Sequence, residues 1–357
     1  MSDWIRVMNT TIANYIAGAE NNVVRNRKLL SLLKSRGRIT FNWSGDKMVW
    51  RIRYARGPMQ GYADAETLTF PRRNRWKTAE LDWRGYAATE GVTKLERLKN
   101  RGPQQIIDLF ADTTTAMLED MEENFGDELY VDGAAAGNSK RIHGIESFLG
   151  HSGTSLPYVA SPSDTFAGLS TVLGAYGGRW SGNWPSGKGD AQYDFYSPTL
   201  VDYTDTNWQA DSYSWSTVSS QALRYGIIRS QRNKTQKGRL DLVFLESEMY
   251  RLWLESLSQT ERIIVEKNTA NSPMAKLGWG DVQNFDGVDV TWEFGTPDAI
   301  GYGLNVDQME LRSMQDRLFV SEGPTYDEST AAYKMKLDFF GNCVWNPRYF
   351  TKWKNYT

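Results

Sequence analysis

The chain has a single cysteine, Cys343, in 357 residues, so it has no intrachain disulfide framework and suits a cytosolic site of synthesis. Two histidines, His143 and His151, leave too little for a histidine-based metal site. No apolar run approaches the length of a membrane span, and Met1–Met8 lacks a signal-peptide core. The expectation is a soluble chain with no membrane partner. A formal net charge of only −2 argues against binding nucleic acid by bulk charge. Catalytic signals are equally thin. Gly182–Lys188 has the spacing of a phosphate-binding loop, but Gly189 stands where a Mg²⁺-binding hydroxyl belongs, and no buried strand precedes it. A plain surface loop is the better reading. No Ser, Cys or Lys carries a local nucleophile signature, and His143 between Ile142 and Gly144 reads as structural. The chain is expected not to be an enzyme, and to need no cofactor or metal.

Aromatic residues are abundant, with 14 Trp and 18 Tyr. That suits large packed interfaces and equally a sugar-binding surface. Hydrophobic content of 40% and charged content of 24% are ordinary globular values. The length fits one large or two medium domains.

The stretch Gly102–Asp132 organises the rest. Pro103 suits a first helical position, and Ile107, Phe110, Met117, Met121, Phe125 and Leu129 place one apolar stripe on a helix. As one helix, residues 104–130 would span about 40 Å. Gly133 is expected to cap it in the left-handed conformation. Between 103 and 139 there is no Lys or Arg, against nine acids. Such a face repels itself and makes sense either as a solvated surface or under a basic partner.

Before this spine, Ile12, Tyr15, Ile16, Val23, Leu29, Leu30 and Leu33 give a helical segment. It ends in Arg25, Arg27, Lys28 and Lys34, and Gly37 stops it. The period then changes. Ile39, Phe41 and Trp43 alternate with polar residues, Ser44–Asp46 reads as a hairpin turn, and Met48, Trp50, Ile52 and Tyr54 alternate with Lys47, Val49, Arg51 and Arg53. Ala79–Tyr86 is the returning strand. From Arg36 to Arg84 there are eleven basic residues against five acids, a net of +6. Strands this long and two-faced need something to lie on, either the acidic helix of their own chain or that of a neighbouring copy. Residues 39–84 are therefore expected to project, with few contacts in their own subunit.

Beyond the spine, Lys140–Leu149 reads as a strand. Residues 150–212 form a loop-rich, aromatic-rich insertion. Thr217–Arg232 is a helix and Leu240–Leu245 a buried strand. The next helix carries Met249, Tyr250, Trp253, Leu254 and Leu257, with Ser247 as its expected cap. Val288–Phe294, Ile300–Val306, Gln308–Met314 and Tyr333–Phe339 are further strands. The class is α+β, with strands contributed from distant parts of the chain.

The order of these features resembles a known family. An arm ending Leu32-Leu33-Lys34-Ser35-Arg36-Gly37-Arg38 precedes an aromatic-basic hairpin. The long helix runs into Leu129-Tyr130-Val131-Asp132-Gly133, followed by Ile142-His143-Gly144-Ile145 and, later, Tyr176-Gly177-Gly178-Arg179-Trp180 and the strand–helix pair of 241–257. This is similar to the major capsid proteins of tailed bacteriophages, with the Hong Kong 97-like fold. The resemblance covers nearly the whole chain, and order carries it more than any one motif. It implies an N-terminal arm (1–38), an extended hairpin or E-loop (39–86), and a peripheral domain (87–149 and 305–340) holding a spine helix at 103–131. An axial domain (150–304 and 341–357) completes it. It implies self-assembly, as hexamers and pentamers, into an icosahedral shell around packaged phage DNA contacted non-specifically. It also implies a separate scaffolding protein, a portal and a decoration protein as partners, assembly in the host cytoplasm, and residence in the virion. Some members cross-link a hairpin lysine to an asparagine of a neighbour. Lys47, Lys77, Asn342 and Asn346 have the right types, but nothing in the sequence pairs them.

The charges join the two readings. Trp43, Trp50, Arg51, Arg53, Arg72, Arg73 and Arg75 of one hairpin are expected to meet Glu119, Glu122 and Glu123 of a neighbour's spine helix, charge setting register and steering encounter. The other classes left open are a shell protein of a non-viral nanocompartment and a carbohydrate-binding or glycosidase module.

Overall fold

A computed structural model describes residues 27–54, 59–72, 74–100, 109–156, 158–175, 195–210, 212–231, 238–260 and 281–356. Most of the expected N-terminal arm, the first turns of the expected spine helix, Arg73 and the Gly182–Lys188 loop lie outside the described residues.

Helix α1 (Lys28–Ser35) buries Leu29, Leu30, Leu32 and Leu33. Gly37, at φ +63°, stops it in the left-handed conformation that glycine adopts without strain. The next two residues form β1 (Ile39–Thr40), which pairs in parallel with β14 (Met309–Ser313), Ile39 opposite Leu311. The expected turn at 44–46 is corrected here, because β2 (Lys47–Arg53) does not return along β1. It pairs with β3 (Trp76–Asp82) in a separate two-stranded ladder. Alternation identifies a strand without naming its neighbour.

The first sheet is built on β16 (Ala332–Trp345). Residues 332–341 of that strand pair with β4 (Arg84–Thr93), 332–338 with β15 (Val320–Asp327), and 341–345 with β14, all antiparallel. Helix α2 (Lys94–Lys99) follows β4, closed by a Thr93/Glu96 capping box. Helix α3 (Leu109–Glu128) then packs its apolar stripe on the sheet. Met117, Met121 and Phe125 are buried, and the Phe125 ring meets Phe339 edge-on at 4.7 Å. Each such side chain contributes about 1.5–3 kcal/mol by burial.

Two expectations about the end of this helix need correction. Gly133 is not among the left-handed glycines, and it is needed instead for close approach, because a Cβ there would collide with the Ile142 carbonyl. Lys140–Leu149 is not a strand. It turns and forms a 3-10 segment, Ile145–Phe148, and Ile142 before it is buried in the core together with Ile145 and Phe148, at steps of three. Ile145 N–H donates to the Leu129 carbonyl at 2.8 Å, so the segments 129–133 and 142–145 are in direct contact.

The second sheet has eight strands in the order β11 (Gln283–Phe285), β12 (Val288–Trp292), β10 (Leu242–Leu245), β13 (Gly301–Leu304), β17 (Thr351–Lys354), β9 (Thr199–Asp202), β6 (Val159–Pro162) and β5 (His151–Leu156). The two-residue strands β7 (Thr165–Phe166) and β8 (Leu169–Ser170) form a small ladder of their own. Both faces of the second sheet are covered, which explains the unbroken apolar run Leu242-Val243-Phe244-Leu245. Leu242 and Phe244 join the core under α3, while Val243 and Leu245 pack beneath helices α4 (Trp215–Ser230) and α5 (Ser247–Thr260). Glu246, rather than Ser247, caps α5, accepting from the N–H groups of Glu248 and Met249 at 2.8 and 3.0 Å. Trp353 locks helix to sheet. Its indole donates to the Ala222 carbonyl at 2.8 Å, and its ring lies against Gly226, Gly301 and Gly303.

Candidate assembly interface

The hairpin ladder β2–β3 has two faces, set by its register. Met48, Ile52, Ala79 and Leu81 are on the inner face and buried. Trp50, also inward, lies 6.3 Å from the Phe166 ring, and Glu80 N–H donates to the Ala167 carbonyl at 3.1 Å. The expectation of few contacts in its own subunit is corrected at this base, which is sealed onto the body. Residues 59–72 differ: every one is exposed.

Arg51 and Arg53 lie on the outer face, exposed beside Val49 and Trp76. Arg72 and Arg75 are also exposed. Trp50 is not presented with them, and Trp43 only in part, at 37% exposure. Trp43 lies under the Arg312 guanidinium at 4.2 Å and donates its indole N–H to Thr40, while Trp50 is held on Phe166. The most exposed of the hairpin's large apolar side chains are Met59, Tyr62 and Phe70, at 97%, 70% and 90% exposure. No periodicity marks them in the sequence, because they lie in a loop.

The acidic helix has a basic partner within its own chain. Arg27, just before α1, crosses α3 at Gly126, where any side chain would collide with it, and reaches Asp127 at 2.7 Å and Glu123 at 3.4 Å. Lys34 pairs with Glu122. Two of the three glutamates expected to meet the hairpin are thus engaged from inside the subunit, by two of the cations that cluster at the end of the N-terminal helical segment. Glu128 binds the Arg141 guanidinium at 2.5 Å and accepts from the Tyr86 hydroxyl at 2.7 Å. Burial first, then that carboxylate, holds the Tyr86 phenol far above its usual range. Outward on α3 lie Asp112, Leu118 and Asp120, with Glu119 half-buried.

Asn342 is fully buried. Its amide donates to the Asp82 carbonyl at 2.8 Å and lies 3.0 Å from His143 Nδ1, so it is not presented to a lysine of another copy. His143 is structural here too, its carbonyl accepting from the Trp345 indole at 2.6 Å. Burial, then the charge of Arg84, depresses its pKa. The folded state therefore resists a proton that the unfolded chain accepts, and stability is lost as pH falls below about 6.5. Urea titrations at pH 7.5 and 5.5 should show that loss, and His143→Gln should shrink it. Part of the slope should remain, because His151 shifts in the same direction.

Among the described residues no cluster of His, Cys, Asp or Glu is set to hold a metal ion, and no helix is long and apolar enough to cross a membrane. No protein-family model and no curated protein matches the sequence. Solved structures do. The cyanophage A-1(L) capsid subunit is 15% identical with a TM-score of 0.63, covering 96% of this chain and 97% of its own. The capsid of a native GTA particle is 8% identical at 0.58, covering 99% and 98%. The encapsulin of Synechococcus elongatus is 10% identical at 0.51, covering 98% and 94%. The chain has the fold of these shell-forming proteins over nearly its whole length, as the resemblance implied.

Proposed function

We propose that many copies of this chain assemble into a closed icosahedral shell, as hexamers and pentamers, and that the shell is a phage capsid enclosing DNA. The observation that carries this is a chain with the capsid fold whose hairpin holds Met59 and Phe70 almost wholly in water. A long exposed apolar surface marks an interaction site. In a closed assembly each subunit both gives and receives that contact. On this reading the chain is a building block rather than a catalyst, resident in the virion. Scaffolding, portal and decoration proteins are its partners. The likeness to an encapsulin favours a second reading, a non-viral compartment with protein cargo. Phage capsids recur among the similar structures, including those of cyanophage P-SCSP1u and Myoviridae phage XM1, which favours the first.

Within this shell the basic outer face of the hairpin, through Arg51, Arg53, Arg72 and Arg75, lies along the outward acids of a neighbour's α3. Exposed pairs contribute up to about 1 kcal/mol each, so their effect is on register and encounter. Purified chain should sediment as large particles and show shells in negative stain. Arg51→Glu with Arg53→Glu should slow assembly about tenfold while leaving unfolding of the free subunit within about 0.5 kcal/mol of wild type. Glu119→Lys with Asp120→Lys should partly restore it. Glu123 is left alone because it holds Arg27. Added salt should slow the wild type, since attraction is screened within about 10 Å at 0.1 M. An unchanged rate and salt response in the arginine variant would show that the charges serve solubility alone.

A further inference from the structure

The hairpin is not uniformly charged. Its stem is basic, but between residues 58 and 71 there is no Lys or Arg, only Asp64 and Glu66. This tip is also its most apolar part, with Met59, Tyr62 and Phe70 outward. It is a formed loop. The Gln60 amide donates at 2.8 Å to both the carbonyl and the hydroxyl of Thr69, and Thr69 N–H returns a bond to Gln60 at 3.2 Å. That clip holds together the strands of chain bearing Met59 and Phe70. Glu66 closes the turn by accepting from Ala63 N–H at 2.9 Å.

A second surface has the opposite character. Helix α2 buries none of its residues, and Leu95 and Leu98, one turn apart, are 57% and 51% exposed. Lys94 and Lys99 flank them, and Arg101 follows in sequence. The helix is held in place from elsewhere. Glu96 is committed to the capping box, and the Arg97 guanidinium stacks on Tyr333 at 4.7 Å and faces Phe110 at 5.6 Å. Its leucines are left open on a basic ground. Both surfaces stand open in the single chain, so neither covers the other within one copy.

We propose that the hairpin tip of one subunit seats on helix α2 of a second copy, Met59, Tyr62 and Phe70 covering Leu95 and Leu98, with Asp64 and Glu66 facing Lys94 and Lys99. The proposal rests on the shell reading and adds the tip's receptor to it. The stem and the tip then recognise different surfaces by opposite charge. A subunit shifted along its neighbour would put acid on acid and base on base, and the divided charge sets the register.

Two measurements test it. In the first, Thr67→Cys and Lys94→Cys are placed in one chain, and assembled particles are treated with a short bismaleimide. Cys343 is fully buried and does not compete. A denaturing gel should show a ladder of dimers and higher multimers that neither single variant gives. In the second, Asp64→Lys should slow assembly about tenfold, and adding Lys94→Glu and Lys99→Glu should bring the rate back. This measurement does not depend on the cysteine chains assembling. Particles with no ladder, or no recovery in the charge swap, would overturn the docking and leave the shell standing. A wild-type chain that never forms particles would overturn both.

Discussion

Gly144→Ala should destabilise the subunit by about 3 kcal/mol, enough to remove much of the soluble protein. The backbone at Gly144 is ordinary, with φ −74°, so the requirement is for space. An added Cβ would sit 2.6 Å from the carbonyl oxygens of Leu129 and Val131 and 2.7 Å from that of Glu128. These are backbone atoms at the end of α3, and the adjacent Ile145 N–H is bonded to Leu129. Relief would need the 142–145 turn to lift off the helix end and break that bond. Gly137 is the control. It has φ +92° and nothing within 4 Å, so Gly137→Ala should cost only the dihedral strain, about 1–2 kcal/mol. Urea unfolding of the free subunits would show the difference. Equal midpoints for the two variants would mean that the helix end gives way more easily than its contacts imply.

Trp353→Ala should cost about 3–5 kcal/mol. The ring is fully buried and fills space that three glycines leave open. Gly226 belongs to α4, and Gly301 and Gly303 belong to β13. A Cβ at Gly226 would lie 2.5 Å from the ring. Removing the indole opens a cavity between helix and sheet and leaves the Ala222 carbonyl without this donor. Trp353→Phe keeps most of the filling and should recover more than half of the loss. A cost below about 1 kcal/mol for the alanine variant, a typical surface value, would mean that α4 collapses into the gap.

Much of this architecture was legible in the sequence, for a local reason. The strand at 333–339, the helix at 215–230 and the stripe Met117–Met121–Phe125 each bury one side, so their periods are written in neighbouring residues. Pairing is not local. Nothing near Ile39 announces Leu311, 272 positions later, as its partner. The spacing of Ile142, Ile145 and Phe148 was visible, but a single tight turn gives too few repeats to separate it from a strand. The likeness to capsid proteins rested partly on the short segments 129–133 and 142–145. Their contact supplies a physical reason for both: each carries a glycine against the other's backbone. The interface was less legible. One charge sum over residues 36–84 concealed that the stem is basic and the tip acidic. The nine acids near α3 invited a partner from another copy, while Arg27 and Lys34 of the same chain already hold three of them.

The strand β16 has a mechanical consequence. Ten of its residues, from Ala332 to Gly341, pair with β4, and its inner end runs on beside β14 as far as Trp345. Its outer end lies beside the start of α2, with Ala332 opposite Thr93. A pull on α2 directed along β4 would therefore be carried along the strand axis. Antiparallel hydrogen bonds lie across that axis, so the whole ladder is loaded in shear and must yield together. The same bonds pulled from the side would open one at a time. In the proposed shell, a load carried along this rod would reach its buried inner end, and a load divided over a whole ladder is one that a thin wall can bear.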